Sequence, residues 1–221
     1  PNRRLLWHGT NVSAAAAICS TGLRIMPGAG GRLGKGLYLA DQMNKSGWYV
    51  SPTSEGTGVM FLAEAALGKQ HVVHNDNRVA QSFCSAPAGF DSVVTSSQTR
   101  VNPQDDVTLE IDGNRVRFAT GRPEEVVGQP EEKPSSFGQA EYLCYNAAQV
   151  RLRYLVLVGK PKAGLNGDVA AAVPSAGGGA AGLNVRGRVL QGRAGVPRGL
   201  PQLAARHDLH QHHVPPQHLP R

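Results

Sequence analysis

Nine consecutive residues, Val59 to Leu67, constrain this chain more than any other stretch. Val59, Phe61, Ala63, Ala65 and Leu67 alternate with Met60, Leu62, Glu64 and Ala66, the period-two pattern of a well-buried strand. The backbone groups of such a strand need partner strands, and the chain supplies candidates. Leu5-Leu6-Trp7 is a short apolar run, and Gly36 to Ala40 is a second. Val107 to Ile111 and Asn114 to Ala119 flank Asp112-Gly113, a hairpin turn signal. Glu141 to Tyr145 and Val150 to Val158 are β-branched and aromatic. Helices are few. Asn11 caps one through Ala14–Ala17 and Ile18, with Gly22 as its stop. Asp41 is read as the cap of another that carries Lys45, Ser46 and Tyr49. Pro27 to Gly34, with four glycines in eight residues, is a loop. Gly121 to Ser136, rich in Pro and Glu, is read as an exposed loop. Many strands and two or three short helices make an α+β domain.

The character of the chain changes at Gly159. The final 63 residues hold no Phe, Trp or Tyr, and five of the eight histidines crowd into His207 to His218. Such a segment cannot offset its chain entropy by burial, so residues 159–221 are expected to be a disordered basic tail, with the domain at 1–158. Charge follows the same division. Asn2 to Val158 carries 15 Lys+Arg against 14 Asp+Glu, net +1, and the tail carries 8 against 2, net +6. The net +7 of the whole chain therefore says little about a nucleic-acid face on the domain. Cys19, Cys84 and Cys144 form no CxxC pair, which excludes a disulfide scaffold and a cysteine zinc site. No apolar run reaches membrane-spanning length, so no membrane partner is expected. No secretory leader is recognisable after Pro1.

A histidine, a tyrosine and a glutamate come in order within the strand-like runs: His8-Gly9-Thr10, Gly36-Leu37-Tyr38 and Glu141-Tyr142-Leu143. Between them stand Gly22-Leu23-Arg24-Ile25, Lys45-Ser46 and Tyr49. Together, across about Asn2 to Val158, these resemble the His-Tyr-Glu signature of the poly(ADP-ribose) polymerase family of diphtheria-toxin-like ADP-ribosyltransferases. The resemblance implies two packed, mostly antiparallel β-sheets with short helices. The domain would be truncated at its N-terminus. It implies NAD as co-substrate, no metal, and transfer of ADP-ribose to protein side chains with release of nicotinamide. Leu23 to Pro27, with the short glycine loop and Gly89 to Val93, is most similar to the small, DNA-damage-responsive nuclear members that mainly mono-modify. Acceptors are then proteins, this chain included. DNA contact would come through modules that precede the catalytic part in such relatives.

Site roles follow from the same resemblance. Glu141 bonds the nicotinamide-ribose 2′-hydroxyl and stabilises the oxocarbenium-like transition state, as carboxylates do in glycoside hydrolysis. His8 holds the adenine-ribose hydroxyl. Gly9 presents its backbone to the carboxamide at a range a side chain would block, and Thr10 contacts the same region. Ser46 donates to the carboxamide oxygen. Tyr49 stacks on nicotinamide, and Tyr38 forms the second aromatic wall. Arg24 lies near the adenosine half and Lys45 near the acceptor or pyrophosphate. Ala14 and Gly47-Trp48 depart from the family pattern. The loop from Pro27 is expected to be a flexible lid over the donor site. It does not match a P-loop, because Gly36 follows Lys35, nor GxGxxG, because Leu33 takes the third glycine. Two other readings remain: a module that binds NAD or ADP-ribose without turnover, and a non-functional fragment.

Overall fold

The computed structural model describes residues 2–28, 30–126, 135–159 and 184–188. The Val59–Leu67 alternation becomes β3 (Thr57–Ala66), central to the largest of the three sheets among the described residues. β1 (Arg3–Thr10) runs antiparallel along one edge of β3 and β11 (Val150–Gly159) along the other. Beyond β1 lie β8 (Asn114–Ala119), parallel to it, and β7 (Asp106–Ile111), joined to β8 by the expected hairpin. Asp112 and Gly113 both take positive φ, as the tight Asp-Gly turn requires. The second sheet has the order β2 (Leu37–Leu39), β10 (Tyr142–Cys144), β5 (Ser92–Thr95) and β4 (Gln70–Val73), antiparallel except for β4 and β5. α1 (Val12–Thr21) starts at Asn11, whose Oδ1 accepts from the Ala14 N–H at 2.7 Å, and stops at Gly22, φ 76°. α2 (Met43–Gly47) and α3 (Arg78–Gln81) are short. This is an α+β fold.

The sheets pack through Leu6, Ala63, Ala65 and Leu67 from one and Leu37, Leu39, Tyr142 and Cys144 from the other, with Leu23 at the margin. The opposite face of the larger sheet buries Leu5, Trp7, Met60, Leu62, Val116 and Phe118. β3 is therefore apolar on both faces, as its residue pattern demanded.

Three expectations change. Asp41 does not cap α2: Gln42 holds that position without a side-chain bond, and Asp41 is buried against Tyr142. Tyr49 lies beyond the helix end. Within the stretch read as the loop Gly121–Ser136, Pro123–Glu125 is a strand, β9, paired with β6 (Thr99–Val101), while 127–134 lie outside the described residues. Most of the tail expected to be disordered also lies outside them. Within it, Asn184–Arg188 forms β12, antiparallel to β11.

One polar side chain breaks the apolar centre. Glu64 is 2% exposed and accepts from Arg3 at 2.6 Å and from Arg153 Nε at 2.7 Å. A register shift between Leu152 and Tyr154 brings Arg153 to it, the local re-aiming a β-bulge provides. Removing the carboxylate leaves Arg3 without its ion-pair partner and Arg153 with Asp112 alone, at 2.6 Å. Glu64→Ala is therefore expected to cost about 3 kcal/mol in urea unfolding, whereas Ala at exposed Glu110 should stay within about 0.5 kcal/mol of the parent.

Candidate active site

Among the described residues the two sheets meet edge to edge at one backbone pair. Trp7 and Ala40 exchange both hydrogen bonds, at 2.7 and 3.0 Å. One residue further along β1, His8 Nδ1 lies 3.0 Å from the Tyr38 carbonyl. A carbonyl only accepts, so Nδ1 carries the proton and Nε2 is left as an acceptor. Burial holds the His8 pKa below its ordinary 6.5, against the opposing pull of that hydrogen bond. The neutral ring can receive a ligand hydroxyl.

Gly9 follows. Trp7 spends its N–H and C=O on Ala40, so strand alternation turns those of Gly9 to the same edge, away from β3. Among the described residues β8 pairs with β1 only at Arg4 and Leu5, so it does not cover the Gly9 groups on that edge. A Cβ at Gly9 would lie 1.8 Å from the Ser46 carbonyl oxygen. Glycine is thus required by close packing of β1 on α2, a constraint that the ligand-based argument did not contain. Thr10 is buried at the end of the strand.

Tyr38 opposes Leu143 across the β2–β10 pair, and Tyr142 points into the core between the sheets. Alternation therefore puts Glu141 on the outer face with Leu143 and Tyr38. Glu141 is 5% exposed, and its N–H donates to Thr95 Oγ1 at 2.8 Å. Lys45 Nζ sits 2.6 Å from its Oε1. The carboxylate that would meet developing positive charge is therefore neutralised and aimed by a lysine from α2. Ser46, the next residue, is buried.

The glycine loop is more tightly anchored than a flexible lid. The Leu33 N–H donates to the Tyr38 hydroxyl at 3.1 Å, which itself donates to the Gly34 carbonyl at 2.8 Å. Burial raises that phenol to about 12, so it stays neutral. Tyr145 donates to the Leu33 carbonyl at 2.8 Å, and the Lys35 N–H to Phe83 at 2.7 Å. Arg32 stacks 3.9 Å from the Phe137 centroid and grips Asp76 through two nitrogens, at 2.9 and 3.0 Å. The arginine and Ser136 hold Asp76 down at about 2.

His8, Gly9, Tyr38, Lys45, Ser46 and Glu141 thus converge. Tyr49 stands just beyond α2, 60% exposed, its N–H bonded to the Ser46 carbonyl at 3.1 Å. Arg24 is exposed on the loop after α1. A depression of about 460 Å3 between β4 and α3, lined by His71, His74 and Phe83, contains none of these side chains. Among the described residues no group of three or more His, Cys, Asp or Glu is placed to hold a metal ion, and no helix is long and apolar enough to cross a membrane. Sequence reasoning missed Thr95, Asp76 and the Asp41–Tyr142 pair. Each meets its partner from a distant segment, with no local pattern to mark it.

Residues 1–160 match the family model of the poly(ADP-ribose) polymerase catalytic domain. The chain belongs to the poly(ADP-ribose) polymerase family. It is 51% identical over 158 residues to protein mono-ADP-ribosyltransferase PARP3 of Mus musculus, covering 70% of this chain and 28% of that protein. Against the Homo sapiens protein of the same name it is 48% identical over 160 residues, 71% of this chain and 29% of the relative. With poly [ADP-ribose] polymerase 1 of Xenopus laevis identity is 34% over 160 residues, 70% and 15% of the two chains. The chain thus spans less than a third of the length of these curated relatives. In this member of the polymerase family, the matched region contains every residue of the cleft described above.

A neutral, half-buried His8 makes a testable statement. Its folded pKa is depressed below the 6.5 of the unfolded chain. Between the folded pKa and 6.5 the unfolded state binds more protons, so stability should fall as pH drops through that window and be indifferent to His8 above it. Histidine resonances followed by NMR should show the His8 ring titrating below 6.5. A midpoint above 6.5 would contradict the neutral assignment.

Proposed function

We propose that the chain is an NAD-dependent protein ADP-ribosyltransferase. The observation that carries this reading is the convergence of His8, Tyr38 and Glu141 on one cleft, with a lysine already paired to the glutamate. In NAD the nicotinamide is cationic and departs neutral, so no general acid is needed. The bond from the nicotinamide nitrogen to the ribose C1′ breaks as an acceptor oxygen bonds to C1′. That oxygen releases its proton, and nicotinamide leaves with the electron pair.

Within this reading Glu141 accepts from the ribose 2′-hydroxyl and opposes the charge that grows on the sugar, an interaction stronger in the transition state than before it. When that hydroxyl arrives, Lys45 is the group that must yield or share the carboxylate. His8 Nε2 accepts from the adenine-ribose hydroxyl. The N–H and C=O of Gly9, with the Ser46 hydroxyl, bond the carboxamide, and Thr10 borders them. Tyr38, fixed at its hydroxyl, forms one wall for the nicotinamide, and Tyr49, just beyond α2, forms the other. Arg24 serves the adenosine half.

The name shared by the mouse and human relatives supports mono-ADP-ribosylation. The motif resemblance carries a nuclear, DNA-damage-linked setting, with proteins as acceptors and this chain among them. We place the catalytic domain at 1–158, next to where the family match ends, with 159–221 as a tail from which Asn184–Arg188 returns to pair with β11.

Glu141→Gln keeps the shape of the side chain and removes its charge. It is expected to lower automodification by two to three decades, about the effect of losing one transition-state electrostatic contact. NAD affinity by calorimetry should hardly change. Near-parental turnover would refute the role. NAD binding without turnover by the parent would favour the non-catalytic alternative.

A further inference from the structure

Beneath Glu141 lies a buried polar cluster in an otherwise apolar interface. The Tyr142 hydroxyl donates to Asp41 Oδ2 at 3.1 Å and accepts from Arg4 Nη1 at 3.0 Å. Arg4 also pairs with Asp106 at the start of β7. Tyr142 and Asp41 are each 6% exposed. Asp41 Oδ1, Arg4 Nε and Asp106 Oδ1 are buried without a hydrogen-bond partner among the described residues. Burial opposes ionisation of Asp41. An apolar set of similar volume would stabilise the domain at least as well, because buried polar groups incur a desolvation cost that their contacts only partly offset.

The position of the cluster gives it a purpose. The site groups do not share one sheet: His8 is on the larger, while Tyr38 is on the smaller and Glu141 directly precedes its strand β10. Arg4 lies four residues before His8 on β1, Asp41 three after Tyr38, and Tyr142 directly after Glu141. The cluster therefore links all three segments through the core. A second clamp ties the far side: Gln139 donates to Gln42 Oε1 at 2.8 Å and to Asn44 Oδ1 at 2.7 Å. Gln139 and Tyr142 bracket Glu141, and both reach into residues 41–44, just before Lys45. Apolar packing between sheets tolerates small slides, whereas a directional O–H···O bond does not.

We propose that Arg4, Asp41 and Tyr142 are positioning residues, which set Glu141 against Lys45 and the ribose site by locking the second sheet to the first. The proposal rests on the transferase reading. A displacement of Glu141 by a fraction of an ångström leaves ground-state binding of NAD nearly intact and weakens the contact that counts in the transition state.

The test uses the full chain, with initial rates normalised to the folded fraction by titration with a nicotinamide-mimicking inhibitor. Tyr142→Phe keeps the ring and loses the hydroxyl; it is expected to lower kcat about tenfold with KM for NAD within about threefold. Asp41→Leu should behave alike, and Asp41→Asn, which still accepts from the tyrosine hydroxyl, should recover kcat to within about twofold of the parent. A merely structural role predicts a lower melting temperature with unchanged kcat per folded molecule, and that result for Tyr142→Phe would overturn the proposal. If Asp41→Leu does not fold, Tyr142→Phe and Asp41→Asn decide the matter between them. An active parent with an equally active Tyr142→Phe refutes positioning alone; a parent that binds NAD without turnover removes the transferase reading and this proposal with it.

Discussion

The site depends on the junction where β1 of one sheet meets the end of β2 of the other. The Trp7–Ala40 hydrogen bonds and the contact of His8 Nδ1 with the Tyr38 carbonyl fix the two sheets edge to edge. Three site features follow from that junction. It leaves the N–H and C=O of Gly9 on the edge away from β3, where Trp7 has already used its own. It seats α2 against β1, so closely that only glycine fits opposite the Ser46 carbonyl. It also fixes the tautomer of His8. In a fold whose cores are held by non-directional apolar packing, these few directional bonds decide where the chemistry can occur.

The electrostatics of the cleft are set by partners more than by exposure. Glu141 is buried yet carries a lysine at 2.6 Å, so its charge is compensated before any ligand arrives. Tyr38, by contrast, is held neutral by burial and uses its hydroxyl to fold the glycine loop over itself. The two residues stand on one sheet face and differ in kind: one is a carboxylate paired with a lysine, the other a neutral ring anchored at its hydroxyl. The arginine that tethers the loop, Arg32, does so with both a bidentate ion pair and an aromatic face, which leaves little freedom between Gly31 and Lys35.

Much of this was legible in the residues because its signals are local. The alternation in Val59–Leu67, the Asp-Gly turn and the Asn11 and Gly22 caps each state their structure within a few positions. The motif residues His8, Tyr38 and Glu141 were legible through their flanks. What could not be read is long-range. Asp41 stands where a helix cap is common, but its partner, Tyr142, is 101 residues away, so the local rule lost to a buried bond. β4, β5 and β6 have only three or four residues each, too few for a period to emerge, and β9 was hidden by the proline and glutamates that suggest an exposed loop. The register shift that brings Arg153 to Glu64 leaves no mark in the residue pattern.

The central claim is that one cleft, built across the sheet junction, binds NAD with its nicotinamide end at Gly9 and Glu141. A crystal structure of the chain with a non-hydrolysable NAD analogue tests it most directly. The account predicts the carboxamide hydrogen-bonded to the Gly9 backbone and the nicotinamide between Tyr38 and Tyr49. It also predicts the ribose 2′-hydroxyl on Glu141 and the adenine-ribose hydroxyl on His8 Nε2. An analogue seated elsewhere, such as the depression between β4 and α3, or one bound in the cleft with its nicotinamide away from Glu141, would contradict it.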